Sequence, residues 1–203
     1  MKVFVTGGAG YIGSHACVEL LKNSHEILVY DDLSNGHVAA LARVKQITNK
    51  DFEFVKGDVR EYEKLVSSLS SFDPDVVLHF AGLKAVGESV KNPTLYFDVN
   101  VTGTINLMKS MDLIGCTKIV FSSSATVYGE ANYLPFDHLH PLKPTNPYGW
   151  SKLMVENILQ NWCMINEDRK AICLRYFNPI GAHESGLIGE DPRGIPNNLM
   201  PHI

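Results

Sequence analysis

A glycine-rich turn near the start of the chain constrains the fold more than any other feature. Val3–Thr6 has the pattern of a short buried strand, Gly7-Gly8-Ala9-Gly10-Tyr11-Ile12-Gly13 follows it directly, and a helical pattern comes next. In such a turn Gly7 allows the tight bend, Gly10 lets the backbone approach a pyrophosphate, and Gly13 permits close packing of helix on strand. The turn predicts a dinucleotide-binding unit with the phosphates at the helix N-terminus, although a glycine turn without a ligand remains an alternative.

The second predicted strand supports the dinucleotide interpretation. Glu26–Tyr30 is apolar in its interior and ends at Asp31-Asp32, about twenty residues after the glycine turn, where a carboxylate accepts hydrogen bonds from an adenosine ribose. Asp31 is the better candidate for that role. A carboxylate at this place repels a ribose 2′-phosphate and no arginine lies beside it in the sequence, so we expect NAD rather than NADP. The alternative is a solvated acidic loop.

Composition limits the possible partners. The chain has 203 residues and a net charge of −4 with charges of both signs interspersed, which provides no basic stripe for nucleic acid. We find no transmembrane stretch and no secretory leader before the first strand. The dispersed histidines, with His138 and His140 the closest pair, predict no metal site. We expect a cytoplasmic protein whose four scattered cysteines are buried, reduced thiols: Cys17, Cys116, Cys163 and Cys173.

Strand and helix patterns alternate along the rest of the chain. Such alternation arises when crossover helices cover both faces of a parallel sheet, so we predict a doubly wound, Rossmann-like α/β fold. The further predicted strands are 52–55, 76–80, 118–121 and 171–176, and the predicted helices are 39–48, 61–70, 94–113 and 148–166.

In a doubly wound sheet the ligand lies beyond the carboxyl ends of the strands, and polar or small residues follow four strands here. Asp58 is a candidate to bind the adenine amino group, or else to cap the next helix. Lys84 is a candidate to reach the cofactor or a phosphate, or else an exposed loop charge. Ala81 and Gly82 would let the dinucleotide lie close to the backbone. The triplet Ser122–Ser124 forms either a turn or a hydroxyl source for proton transfer.

Tyr148 and Lys152 are four residues apart just inside a predicted helix that begins at Pro147, so their side chains leave the same face. A free phenol has a pKa of about 10 and is a poor base at neutral pH. A nearby ammonium, a cationic nicotinamide ring and the helix N-terminus would each stabilise the phenolate. The spacing favours a phenolate base, although by itself it also occurs on solvated helix faces.

Three segments resemble the extended short-chain dehydrogenase/reductase superfamily: Thr6–Gly13, Ser122-Ser123-Ser124-Ala125-Thr126-Val127-Tyr128-Gly129 and Tyr148-x-x-x-Lys152. Within it, three further segments resemble the UDP-glucose 4-epimerase family closely: Phe80–Ser89, Leu174–Pro179 and Gly194–Pro201. The similarity covers the whole chain. Neighbouring nucleotide-sugar dehydratases carry an Asp-Glu pair where this chain has Ala125-Thr126, so the carboxylate for removing water is missing.

The resemblance implies a mechanism. Tyr148 as phenolate would remove the proton of the sugar 4-hydroxyl while tightly bound NAD takes the hydride from C4, and the 4-keto sugar would turn over before the hydride returns. Lys152 would lower the tyrosine pKa and bind the nicotinamide ribose, and Ser124 would bind the reacting oxygen. By resemblance the NAD site also includes Tyr11, Ile12, Asp31, Asp58, Val59, Phe80, Lys84, Asn100 and Phe177. The substrate site would include Lys84, Ser124, Tyr148, Phe177, Asn178, Asn198 and Leu199.

The resemblance also implies an organisation. Residues 1–180 would form the NAD-binding domain and residues 181–203 would begin a substrate-binding region. Members of the family continue into a smaller domain that holds much of the UDP, so we expect the 203-residue chain to bind nucleotide sugars weakly. The family forms homodimers through two helices of each subunit, although Leu107, Met111, Leu153, Ile158 and Trp162 fit a core better.

Three functional hypotheses remain open. The first is an epimerase that interconverts UDP-glucose and UDP-galactose in galactose metabolism. The second is a dehydratase or net oxidoreductase acting on a related nucleotide sugar. The third is a noncatalytic dinucleotide-binding module.

Overall fold

A computed structural model describes residues 1–192. Six parallel strands form one sheet in the order β3-β2-β1-β4-β5-β6. The order reverses at β1 and β4, which creates a crevice at the carboxyl edge of the sheet between these two strands. The strands are β1 (Lys2–Thr6), β2 (Glu26–Asp31), β3 (Glu53–Lys56), β4 (Val76–His79), β5 (Lys118–Ser124) and β6 (Lys170–Tyr176).

Helices cover both faces of this sheet, as the alternating pattern predicts. They are α1 (Tyr11–Lys22), α2 (Val38–Thr48), α3 (Tyr62–Phe72), α4 (Val86–Lys91), α5 (Pro93–Phe97), α6 (Gly103–Ile114) and α7 (Pro147–Met164). The chain continues from α5 to α6 through a π-helical turn, Asp98–Thr102, and a 3₁₀ turn, Ala125–Val127, follows β5. The doubly wound architecture predicted from the sequence is confirmed.

Alternation of side chains along the strands divides the core in two. Val3 and Val5 of β1 pack with α1 and α2 on one face, whereas Phe4 packs with α3, α6 and α7 on the other. Successive side chains of a strand point to opposite faces, so an apolar run such as β1 supplies both halves of the core. The sheet is therefore held between two layers of helices, and its carboxyl edge is left for the loops that carry the candidate site.

Two parts of the sequence prediction need correction. The helix predicted over 94–113 is interrupted by the π turn, which forms where the backbone fits one extra residue. The fifth strand is longer than predicted and extends through the serine triplet, and Ser124 caps the 3₁₀ turn that follows by accepting from the Thr126 nitrogen. In addition, α4 lies in a segment for which no helix was predicted, since its six residues are too short to show a periodicity.

Burial supports the core interpretation of four side chains on α6 and α7. Leu107, Met111, Leu153 and Trp162 are buried, and Ile158 packs against the core. The cysteine prediction is correct only in part, since Cys17 and Cys116 are buried and Cys163 and Cys173 are half-buried; all four are free thiols. None of the helices within residues 1–192 is long and apolar enough to span a membrane.

Candidate functional site

The glycine turn connects β1 to α1 beside the end of β4. Gly7 has a φ of +71°, and a Cβ on it would lie 2.5 Å from the backbone nitrogen of Ala81. A Cβ on Gly13 would lie 2.2 Å from the carbonyl oxygen of Gly7. The fold therefore requires glycine at positions 7 and 13, with or without a ligand. Gly10 differs, because a Cβ on it would have only the Gly7 carbonyl oxygen nearby, at 3.4 Å. The space beside Gly10 is therefore open.

The N-terminus of α1 begins at this open glycine. Gly10 is the N-cap residue with an extended backbone, and no side chain of the described residues caps the helix. The backbone N–H groups of a first helical turn have no partners within the helix and carry the positive end of its dipole. The turn therefore offers donors to an anion at the position where Gly10 leaves room.

Asp31 is the last residue of β2 and lies next to the glycine turn. Its carboxylate accepts hydrogen bonds from the backbone nitrogens of Ala9, at 2.9 Å, and Leu33, at 2.8 Å. Burial raises the pKa of this carboxyl, and the two backbone hydrogen bonds oppose the rise. The contacts hold the carboxylate in a fixed orientation, and each oxygen keeps acceptor capacity for a further donor.

Tyr148 and Ser124 meet at the carboxyl edge between β5 and α7. Asn146 caps the helix by accepting from the backbone nitrogen of Gly149 at 2.8 Å, and Pro147 occupies the first turn. Burial raises the pKa of the Tyr148 phenol, whereas its hydrogen bond with Ser124 lowers it. The Ser124 hydroxyl already accepts from the Thr126 nitrogen at 3.2 Å and hydroxyl at 2.9 Å. The Ser124 hydroxyl proton is therefore available for donation to the phenol oxygen of Tyr148.

Lys152 lies one turn further along α7 and is buried. Its ammonium donates to the carbonyl oxygen of Ser122 at 2.8 Å, and it lies 4.8 Å from the ring centroid of Phe121 and 5.8 Å from that of Tyr148. Burial lowers the pKa of this amine to about 8. Burial and Ser124 are the causes of the shift in the Tyr148 pKa, and the effect of the Lys152 ammonium on the phenol stays a prediction.

Asn100 connects the loop after β4, which contains Gly82 and Leu83, to helix α7. Its side-chain oxygen accepts from the Leu83 nitrogen at 2.8 Å, and its amide donates to the Leu83 oxygen and to the Ser151 hydroxyl, both at 3.0 Å. The side chain is buried and holds the loop that contains Leu83, and its contact with NAD stays a prediction. A Cβ on Gly82 would lie 3.0 Å from the Asn100 oxygen and 3.5 Å from the Lys152 nitrogen. The loop that contains Gly82 therefore lies next to the Lys152 amine.

A buried chain of hydrogen bonds, which the sequence analysis missed, supports the same loop. His79 Nδ1 lies 2.6 Å from the Thr6 hydroxyl, and His79 Nε2 lies 2.8 Å from the Thr104 hydroxyl. Thr104 donates to the Asn100 carbonyl and Thr6 accepts from the Ala81 nitrogen. Because Thr104 donates its own proton to Asn100, its oxygen accepts from His79, so the imidazole is neutral with its proton on Nε2. Burial lowers the pKa of His79 to about 3.

Asp58 lies at the end of β3 beside a cavity. Its carboxylate accepts from the Arg60 guanidinium at 2.6 Å, and Arg60 also reaches Asp98 at 2.9 Å. The hydrogen bond from the Arg60 side chain lowers the pKa of Asp58, and burial opposes part of this effect. The neighbouring cavity of about 700 Å³ includes Asp32, Thr102 and Asn106 in its lining. Asp58 does not cap α3, whose N-cap residue is Glu61, and the Val59 side chain is buried in the core.

Residues 181–191 pack against the glycine turn from the outside. The Tyr11 hydroxyl donates to the Gly181 oxygen at 2.6 Å, and the buried side chain of Ile188 joins the core beneath Ala9. The Lys84 ammonium lies 3.3 Å from a carboxylate oxygen of Glu190. The Lys84 side chain is exposed and has an ionic partner at the mouth of the site, and its role in reaching the cofactor or a phosphate stays a prediction.

Four further predicted positions have simple placements. Ile12 is half-buried in the first turn of α1, and Phe80 is half-buried at the end of β4. Phe177 is exposed just after β6, with its ring 6.4 Å from that of Tyr128, and Asn178 beside it is exposed. Asn198 and Leu199 lie outside the described residues. Among residues 1–192, no group of three or more His, Cys, Asp or Glu is placed to hold a metal ion.

Comparison with known proteins agrees with this arrangement. Residues 3–203 match the NAD dependent epimerase/dehydratase family. The chain is 54% identical to a UDP-glucose 4-epimerase of Bacillus subtilis over 203 residues, all of this chain and 60% of that protein. It is 50% identical to a UDP-glucose 4-epimerase of Dictyostelium discoideum over 202 residues, all of this chain and 59% of that protein.

A solved structure has the same fold. The UDP-glucose 4-epimerase of Bifidobacterium longum in complex with NAD⁺ and UDP superposes with a TM-score of 0.97 at 47% identity, over all of this chain and 61% of that one. The chain thus spans about 60% of the length of the curated relatives that it matches. By sequence over its whole length and by structure, the chain belongs to the NAD dependent epimerase/dehydratase family.

Proposed function

We propose that this chain is the NAD-binding and catalytic part of a UDP-glucose 4-epimerase, which interconverts UDP-glucose and UDP-galactose with Tyr148 as the base. One observation carries the proposal. Tyr148, Ser124 and Lys152 converge at the carboxyl edge of the sheet, and the Lys152 amine lies beside Gly82 of the loop that packs on the glycine turn. This is where a hydroxyl to be oxidised would face a dinucleotide bound along that turn.

The residues present fit NAD. Gly10 leaves an open space at an uncapped helix N-terminus, which suits a pyrophosphate. Asp31 offers a fixed carboxylate where the adenosine ribose would lie, and its negative charge disfavours a 2′-phosphate. Asp58, beside the cavity at the end of β3, would accept from the adenine amino group while Arg60 holds it in place. The relatives crystallised with NAD support this assignment.

Tyr148 would exchange a proton with the sugar 4-hydroxyl. NAD, when bound, supplies the hydride acceptor and donor for the sugar C4. Ser124 donates towards the phenol oxygen, which favours the phenolate and places a second hydroxyl beside the substrate oxygen. The Lys152 ammonium lies 5.8 Å from the centroid of the phenol ring and so places a positive charge beside it. The same amine lies 3.5 Å from where a Cβ on Gly82 would be, so it would be within reach of a ribose bound along that loop. The proton is returned to the same oxygen at the end of the cycle.

The dehydratase alternative is disfavoured by the residues that follow Ser124. Elimination of water from a 4-keto sugar needs a carboxyl or similar acid near the leaving hydroxyl. Ala125 and Thr126 occupy the relevant turn here, and the Thr126 hydroxyl is used to bond Ser124.

An assay of UDP-galactose conversion separates these alternatives. The epimerase proposal predicts formation of UDP-glucose without lasting accumulation of NADH, and loss of nearly all turnover in Tyr148→Phe. Lasting NADH would indicate a net oxidoreductase, and release of water a dehydratase. NAD binding with no turnover in the wild-type chain would favour the noncatalytic module. Full activity of Tyr148→Phe would remove the phenolate from the mechanism.

Two further parts of the proposal concern organisation. We place the NAD-binding domain at residues 1–180 and the start of the substrate-binding region at residues 181–203. Ile188 is buried against α1 and the glycine turn, so the first part of that region is attached to the NAD-binding domain. A calorimetric titration of the 203-residue chain with UDP tests whether it binds nucleotide sugars weakly; micromolar binding would contradict this expectation.

Homodimerisation remains a prediction. Trp150 and Met154 are exposed on α7, and Leu95 is exposed on α5, which packs against α7. An apolar helix face of this kind suits a second copy of the same surface. Sedimentation analysis of the chain across a range of concentrations tests for the dimer, and a monomer at every concentration would contradict it.

A further inference from the structure

Three side chains on one face of α7 contact three successive residues at the end of β5. Tyr148 lies beside the Ser124 side chain, which lowers the pKa of its phenol, the Lys152 amine donates to the Ser122 carbonyl, and the Glu156 carboxylate accepts from the Ser123 hydroxyl at 2.5 Å. Positions four residues apart on a helix lie on one face, so the third contact continues the row of the first two. Glu156 therefore belongs to the same helix–strand contact as the candidate base.

Glu156 is also bound from the neighbouring strand. Arg175 of β6 is the register partner of Ser123 in β5. Its guanidinium donates to both carboxylate oxygens of Glu156, at 3.0 Å and 2.7 Å. A two-point contact between planar groups fixes orientation as well as distance. The carboxylate is thus held by a serine and an arginine of two adjacent strands, and it locks α7 against both of them.

Arg175 extends the contact to the far wall of the site. It donates to the Tyr128 hydroxyl at 3.1 Å, and its guanidinium carbon lies 5.0 Å from the Tyr128 ring centroid. The Tyr128 ring stacks on Phe136 at 5.0 Å and faces Phe177 at 6.4 Å. The same ion pair therefore connects the helix of Tyr148 to the aromatic side chains that flank the mouth of the site.

We propose that Glu156 and Arg175 are positioning residues, which set the alignment between Tyr148 and Ser124 by fixing α7 on the ends of β5 and β6. Neither side chain touches the reacting atoms. The inference rests on the proposed function, in which that alignment prepares the phenol to act as a base. A buried ion pair is a weak source of net stability but a strong constraint on geometry when both oxygens are engaged.

The surroundings of Tyr148 define what a measurement on its phenol would report. The groups that face it are Ser124 on β5, Lys152 on its own helix and Tyr96 of α5, whose ring lies 6.4 Å away in an edge-on arrangement. The Ser124 hydrogen bond lowers the phenol pKa, so loss of the alignment should raise it. Replacing both Glu156 and Arg175 by neutral side chains leaves the net charge unchanged, which limits the change in the field at the phenol.

The experiment labels the 203-residue chain with 3-fluorotyrosine and follows residue 148 by ¹⁹F NMR as the pH is raised. The chain has eight tyrosines, and the spectrum of Tyr148→Phe assigns the relevant resonance. In Glu156→Gln combined with Arg175→Met, we expect the titration midpoint of residue 148 to rise by about half a unit or more and its line to broaden. The measurement needs neither cofactor nor substrate.

A second ion pair at the far end of α7 supplies the matched control. Arg169 donates to Asp112 at 2.7 Å and lies over Trp162 of α7, and Trp162 also donates to Asp112 at 2.8 Å. Asp112→Asn combined with Arg169→Met likewise removes one negative and one positive charge, from α6 and from the loop after α7, next to Trp162 of α7. Both double variants should lower the thermal unfolding midpoint, and only the first should alter residue 148.

An unchanged midpoint and line shape for residue 148 in the folded Glu156→Gln/Arg175→Met chain would overturn the proposal, and so would an equal change in the control. If the double variant does not fold, Arg175→Lys decides, because lysine keeps the charge but cannot form the two-point contact. A smaller upward shift there supports the proposal, and no shift refutes it. Failure of the wild-type chain to bind NAD in a titration would refute the proposed function instead and leave this result intact.

Discussion

The Lys152 ammonium donates to the Ser122 carbonyl oxygen at 2.8 Å and lies over the face of Phe121 at 4.8 Å from its centroid. Both contacts are with neutral groups, and the side chain is only 5% exposed. A dipole and a ring face replace part of the hydration that a charged amine loses on burial. The hydration that is not replaced disfavours the charged form, which lowers the pKa of the Lys152 amine to about 8.

Lys152 should make the stability of the cofactor-free chain depend on pH. Its pKa in the folded chain, about 8, is below the ordinary value of 10.5, so the unfolded chain binds more protons between these values. Stability should therefore increase as pH rises from about 8 towards 10, by at most about 3 kcal/mol from this group. Urea unfolding at a series of pH values measures the effect.

Comparison with Lys152→Met separates this contribution from those of other groups. Burial raises the pKa of Tyr148, so ionisation of this phenol destabilises the fold and opposes the gain near the alkaline end. The difference in unfolding free energy between wild type and variant removes such shared effects. A difference that stays constant from pH 7 to about 10 would contradict a lowered pKa for Lys152.

Gly10 and Gly13 should respond in opposite ways to alanine. Gly10 has a φ of −82°, which alanine adopts readily, and its Cβ would meet only the Gly7 oxygen at 3.4 Å. Gly10→Ala should keep its thermal midpoint and lose NAD affinity by about tenfold or more, because the methyl group fills the space left for the pyrophosphate. Calorimetric titration with NAD measures the loss.

Gly13→Ala should instead lose stability, because its Cβ would lie 2.2 Å from the Gly7 carbonyl oxygen. We expect a destabilisation of about 1–3 kcal/mol, as for other overpacked sites. Gly87→Ala is the control, since nothing lies within 4 Å of the position of its Cβ. Equal NAD affinity in Gly10→Ala and Gly87→Ala would show that the open space beside Gly10 is not a phosphate site.

The fold could be predicted from sequence because its signals are local. Each strand is four to seven residues long and contains an apolar stretch with glycine, proline or acidic residues nearby, and each long helix has its own periodicity. The strand order follows from the crossover rules together with the glycine turn, which marks the first strand of a dinucleotide-binding fold. The helix positions of Tyr148 and Lys152 were predictable for the same reason.

The supporting contacts were not predictable in this way, because they join residues far apart in the chain. His79 is the clearest case, since its partners Thr6 and Thr104 are separated from it by 73 and 25 residues. Glu156 had a local signal, its position four residues after Lys152, but its partner Arg175 is identified only by the register of β5 and β6. The π turn that brings in Asn100 has no sequence signature that distinguishes it from an α-helix.

Ser124→Ala should shift the pH dependence of turnover as well as reduce it. The Ser124 hydrogen bond lowers the pKa of the Tyr148 phenol, so its removal should raise that pKa and move the acidic limb of the kcat profile to higher pH. We expect kcat to fall by about tenfold to a hundredfold near neutral pH. UDP-galactose conversion over a range of pH measures both effects.

Ser68→Ala is the matched control for this change. Its hydroxyl donates to the Lys64 carbonyl within α3, so the variant loses a serine hydroxyl outside the candidate site. Its pH profile should coincide with that of the wild type. A Ser124→Ala profile that falls in height without moving along the pH axis would mean that Ser124 orients the substrate but does not tune the phenol.

His79 should make the fold sensitive to mild acid. Burial lowers its pKa to about 3, below the 6.5 of an unperturbed histidine, so the unfolded chain binds the extra proton first as pH falls. The stability due to the neutral imidazole is complete above about pH 6.5 and decreases as pH falls towards the folded value, with a slope of about 1.4 kcal/mol per pH unit. Urea unfolding between pH 6.5 and 4.5 measures this slope before most carboxyl groups titrate.

His79→Asn should be less stable at neutral pH and should lose the acid slope, because asparagine can accept from Thr6 but does not titrate. Burial raises the pKa of Asp31, so proton binding by this carboxyl on folding opposes the slope equally in both chains. His138→Asn, an exposed histidine replaced in the same way, should keep the wild-type slope. If His79→Asn keeps it too, the proton is taken up elsewhere and the imidazole between Thr6 and Thr104 is not the acid-sensitive element of the fold.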